Sequence, residues 1–95
     1  MADAAEKTFL IEKYVPQLDT ATAAAISLGF RAAVSRRNAR GGNLRWIRSF
    51  ALVGEDTYCC VLAALDIEHI VQLNVRGDLE YDHVVEIVAL ERFPP

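Results

Sequence analysis

The stretch Arg45–Ala64, RWIRSFALVGEDTYCCVLAA, reads as two strands closed by a short Gly54-Glu55-Asp56 turn. It carries the only Trp and both Cys of the chain. Aromatic and branched residues fill the two runs, and a Gly-containing connector of this length is a hairpin signal. Strand two is expected over residues 43–53 and strand three over 57–63.

Outward from this hairpin the pattern is repeated on each side. Upstream, Lys7–Val15 (KTFLIEKYV) is rich in β-formers and stops at Pro16, which cannot donate a ladder bond. Asp19 or Thr20 then caps a helix running to about Ala39. Ala23, Ile26, Phe30 and Ala33 recur along it at helical spacing, and Gly41-Gly42 ends it. Downstream, Asp66 caps a shorter helix from Ile67 to about Arg76, with Ile67, Ile70, Val71 and Asn74 on one side and Gly77 as its stop. Residues 78–82 make a polar connection, and His83–Leu90 (HVVEIVAL) reads as strand four. The order β-α-β-β-α-β is the ferredoxin-like pattern. It predicts an α+β fold, a four-stranded antiparallel sheet with two helices on one face. The 95 residues suit a single domain, with residues 1–6 and 92–95 expected as loose tails.

Apolar residues make up 53% of the chain, so a packed core is affordable and a disordered tail is excluded. A net charge of −3 and a pI near 5.3 give no general case for nucleic acid. Arginine is nonetheless concentrated: Arg31, Arg36, Arg37, Arg40, Arg45 and Arg48 fall in a stretch without Asp or Glu, which suits a solvated helix end. No apolar run approaches a membrane span, and MADAAEK lacks the order of a signal peptide. Cys59 and Cys60 are adjacent, so on a strand they point to opposite faces and do not pair with each other. Reduced thiols in a cytoplasmic protein follow.

Alternation along the strands predicts two faces. Phe9, Ile11, Ile47, Cys59, Val61, Val85 and Ile87 are expected under the helices. The second set is Leu10, Glu12 and Tyr14; Trp46, Arg48 and Phe50; Tyr58, Cys60 and Leu62; and Val84, Glu86 and Val88. An uncovered face that is large and apolar calls for a cover, and a homodimer through the sheet is the simplest one. Glu12, Arg48 and Glu86 lie within that second set and must be paired or neutralised. They are expected either as an ion-pair network that fixes register or as a polar pocket between subunits, lined also by Trp46, Tyr58 and Cys60. His69 and His83 are the candidate metal ligands, although neither has the i,i+4 spacing of a helical zinc pair.

Several pieces together resemble a known family: FLIEKYVP at Phe9–Pro16, LRWIRSFAL at Leu44–Leu52, DTYCCVLAA at Asp56–Ala64 and VVEIV at Val84–Val88. They look like the small ferredoxin-like proteins of a domain-of-unknown-function family, one branch of which binds nickel. The resemblance spans strand one to strand four. It implies a homodimer with nickel or a small ligand as the partner, and it draws attention to Glu12, Trp46, Ser49, Tyr58, Cys59 and Glu86. Members often have a His two residues after the Trp, where this chain has Arg48. Three functions follow as expectations. The first is a dimer binding a small ligand or a metal at the sheet face. The second is a cofactor-free isomerase or monooxygenase, and the third is a structural or regulatory interaction module.

Overall fold

Six elements follow one another in the expected order: β1 (Lys7–Tyr14), α1 (Thr20–Ala39), β2 (Arg45–Leu52), β3 (Thr57–Ala64), α2 (Glu68–Val75) and β4 (His83–Ile87). They are seen in a computed structural model that describes residues 6–75 and 79–91. The expected helix end at Arg76 with its stop at Gly77, the lead-in before Glu6 and the tail over 92–95 lie outside these residues. The four strands form one antiparallel sheet in the order β2-β3-β1-β4, the ferredoxin-like arrangement. β4 ends at Ile87, short of the expected Leu90.

Local chemistry sets the boundaries. Asp19 caps α1 by accepting a 2.8 Å bond from the Thr22 amide. That bond also holds the Asp19 carboxyl below the usual range. At the other end the Gly42 amide donates to the Arg37 carbonyl and the Gly41 amide to that of Asn38. Gly41 takes φ 97°, so this is a Schellman termination. The Asn38 side chain then holds Leu44 from both sides, donating to its carbonyl at 2.8 Å and accepting from its amide at 2.9 Å. The β2–β3 turn places Gly54 at φ 86°, with the Glu55 amide bonded to the Leu52 carbonyl. Asp66 caps α2 as expected, through the His69 amide.

Both helices share one core. Phe9 and Ile11 of β1 and Tyr58, Cys60, Leu62 and Ala64 of β3 pack with Phe30, Ala33 and Val34 of α1 and with Ile70 and Leu73 of α2. Each fully buried Phe, Ile or Leu contributes on the order of 1.5–3 kcal/mol. On α2 the buried positions are Ile70 and Leu73, whereas Ile67 is 40% exposed, so the face is rotated from the one expected.

The register corrects the face assignment. Phe9 and Ile11 do lie under the helices, but their partners on β3 are Leu62 and Cys60, and on β4 Glu86 and Val84. Directly opposed residues share a face. Tyr58, Cys60, Leu62, Val84 and Glu86 are therefore on the helix side, while Cys59, Val61, Val85 and Ile87 are on the open side. The physical reason is that β3 is buried on both sides along nearly its whole length, so alternation carries no face information there. β2 holds a second correction. Trp46 opposes Leu62 and Arg48 opposes Val61, with Ile47 as the extra residue of a bulge. Trp46 consequently faces the helices and Arg48 the open side.

Candidate functional site

The cavity between α1 and the edge strand β2 arises from small side chains facing each other. Along α1, Thr20, Ala23, Ala24 and Ser27 recur at three- and four-residue spacing and fall on one side. Across from them, after the bulge, β2 presents Ser49 and Ala51 on its helix face. Neither side fills the gap, and a cavity of about 660 Å³ is left between them. That lies within the common range for small-molecule sites. Leu18 and Val53 line it also. The Leu18 amide donates to the Asp56 side chain and the Val15 amide to the Asp56 carbonyl, so the β1–α1 connection is tied to the hairpin turn.

Three hydroxyl-bearing side chains, Ser27, Ser49 and Tyr58, line this cavity together. The Ser27 and Ser49 Oγ atoms are 2.8 Å apart and hydrogen-bonded, with either as the donor. Tyr58, from the inner strand β3, packs its ring edge-on against Phe30 at 5.1 Å. Its hydroxyl is buried and, among the described residues, makes no hydrogen bond of full geometry, although the Ser27 and Ser49 hydroxyls stand close beside it. Burial pushes the phenol up to about 12, while the nearby Ser27 and Ser49 hydroxyls pull the other way. Burial also pushes the neighbouring Cys60 thiol up to about 12. Both groups are thus neutral proton donors at ordinary pH. Arg31 stands one turn beyond Ser27 on the rim, with its guanidinium 5.4 Å from the centre of the Trp46 ring.

The residues singled out in the sequence do not converge on a point. Trp46, Tyr58, Cys60 and Glu86 are on the helix side, and Glu86, near the end of an edge strand, is exposed there. Glu12 and Arg48 are on the open side, in different cross-strand rows: Arg48 opposes Val61, while Glu12 opposes Cys59 and His83. His83 lies 3.1 Å from Glu12 through Nδ1, and His69 lies 2.7 Å from Asp66. That hydrogen bond holds the Asp66 carboxyl low. Each histidine therefore brings one carboxylate with it, and among the described residues no group of three or more potential ligands forms.

Of the residues singled out in the sequence, Tyr58 and Ser49 line this cavity, Ser49 having entered through the family resemblance. Ser27 was missed, and its signal was a polar residue inside the apolar stripe Ala23, Ile26, Phe30. Compared with known proteins, the chain matches no family model, no curated protein and no solved structure.

Proposed function

We propose that this protein binds a small, mainly apolar molecule in the α1–β2 cavity. The observation that carries this reading is the cavity itself, with the Ser27–Ser49 pair on its wall and the Tyr58 hydroxyl buried behind it without a hydrogen bond of full geometry among the described residues. An unsatisfied buried hydroxyl costs on the order of 1–3 kcal/mol. A ligand acceptor would offset that cost, and apolar walls would supply most of the binding energy. Catalysis by an isomerase or monooxygenase would need a base beside the hydroxyl cluster, where Tyr58 and Cys60 keep their protons. The carboxylate on the cavity wall, Asp19, is engaged in capping α1 through the Thr22 amide. Binding is therefore preferred over proton transfer. The test is an amide NMR titration with phenylnaphthylamine, a neutral apolar probe. Shifts are expected at residues 20–31 and 49–53; shifts confined to β1 and β4 would overturn the reading.

A homodimer through the open sheet face is the second part of the proposal. Tyr14 is 61% exposed, and Phe50, Leu52 and Val85 are each about 40% exposed. These apolar side chains on one uncovered face are what favours a cover by a second copy. Light scattering should return about twice the chain mass of 10.5 kDa. A monomer at micromolar concentration would remove this part and leave the cavity reading intact. Cytoplasmic location belongs to the same proposal, supported by the free thiols of Cys59 and Cys60. Among the described residues no helix is long and apolar enough to cross a membrane. The family resemblance brings in nickel. Glu12–His83 and Asp66–His69 would each offer it two donors, and a metal site would need further ones from outside these pairs.

A further inference from the structure

Resting on the cavity reading, we infer that the ligand is a small organic anion, an apolar body bearing one carboxylate or sulfonate-like group held by Arg31 and the Ser27–Ser49–Tyr58 hydroxyls. The polar part of the cavity is rich in donors. One serine hydroxyl donates to the other, which leaves one serine hydrogen for a ligand, with the buried Tyr58 hydroxyl behind the pair as a further donor. Arg31 adds a permanent cation one turn from Ser27. An oxyanion accepts from all of these; the hydroxyl oxygens could also accept from an ammonium, so Arg31 is the group that sets the preference for an anion.

The surrounding charge favours the same ligand. α1 contains no Asp or Glu, and Arg36 and Arg37 follow in its last turn. The acidic residue on the cavity wall is Asp19. It sits twelve residues before Arg31, about 18 Å along the helix. That is roughly two Debye lengths at physiological ionic strength, so it barely opposes an anion at the Arg31 end. Its carboxylate is also engaged by the Thr22 amide. Arg31 itself rests over Trp46 and is exposed, so it can turn to a ligand without disturbing the core.

The experiment uses two probes with one ring body, anilinonaphthalene sulfonate and its neutral counterpart phenylnaphthylamine, titrated onto the full chain. The sulfonate is expected to bind about tenfold or more tighter, the difference that a charged hydrogen bond brings. Arg31→Gln should bring the two within about twofold of each other, and Arg31→Lys should keep part of the preference. Equal binding of both probes to the native protein, or a sulfonate preference that survives Arg31→Gln, would overturn the anion inference while the cavity stands. If neither probe binds, the cavity reading fails and this inference fails with it.

Discussion

In the proposed site, Tyr58 would give up some stability in exchange for a contact to the ligand. Its ring belongs to the core, yet among the described residues its hydroxyl makes no hydrogen bond of full geometry. Tyr58→Phe deletes that hydroxyl and leaves the packing in place. The variant is expected to gain about 1 kcal/mol in denaturant unfolding, and to bind an anionic probe more weakly. A loss of stability would mean that the hydroxyl is satisfied, and the account of the site would need replacing. Tyr58 and Cys60 also make a prediction for alkaline pH. Their folded values, each about 12, lie above ordinary values of 10.0 and 9.0. Because the folded protein holds these protons more tightly, their contribution is complete below about pH 9 and is lost as pH rises towards 12. Urea unfolding between neutral pH and about pH 11 should therefore show a decline, at most about 1.4 kcal/mol per pH unit for each group. A flat profile would contradict the burial of these two groups. Tyr58 was readable in the sequence as a residue of interest. Its missing partner was not, because that depends on where Ser27 and Ser49 come to rest.

At the scale of elements, the fold was legible because each boundary has a local cause. Pro16, Asp19, the Gly41-Gly42 pair, Gly54 and Asp66 each mark a start or stop, and none needs a distant contact to do so. The faces were not legible. In β1 the polar Glu12 separates the two sides, but β3 reads as apolar throughout, and its neighbours decide which half of it meets the helices. The bulge at Ile47 reverses the alternation of β2 partway along, and this is what puts both Trp46 and Ser49 towards α1. Glu86 misled for a different reason. It shares a face with the buried Phe9, but the helices leave that part of the edge strand open. The α1 terminus offers a test at this scale. A Cβ on Gly42 would lie 2.9 Å from the Arg37 Cγ and 3.0 Å from the Arg37 carbonyl oxygen. Gly42→Ala should cost about 1–2 kcal/mol by loosening the Schellman termination. Equilibrium unfolding checks it, and a neutral effect would show that the turn re-forms without strain.

Across the whole molecule, the two faces of the sheet have different uses. The helix side encloses the core and, at its β2 edge, the cavity; the open side carries exposed apolar residues and the Glu12–His83 pair. The aromatic residues and charges grouped on one face in the sequence are separated by the fold, with Trp46, Tyr58 and Glu86 on the helix side and Glu12 and Arg48 on the open side. The central claim is that the α1–β2 cavity is where this protein meets its ligand. Ala24 lines that cavity and is exposed on α1, so a larger side chain there fills the space without entering the core. The most direct test is the affinity of phenylnaphthylamine for the native protein and for Ala24→Phe, with unfolding stability measured alongside. The account predicts a loss of about tenfold or more in affinity, with stability within about 0.5 kcal/mol of the native value. Unchanged affinity in a folded Ala24→Phe protein would contradict it.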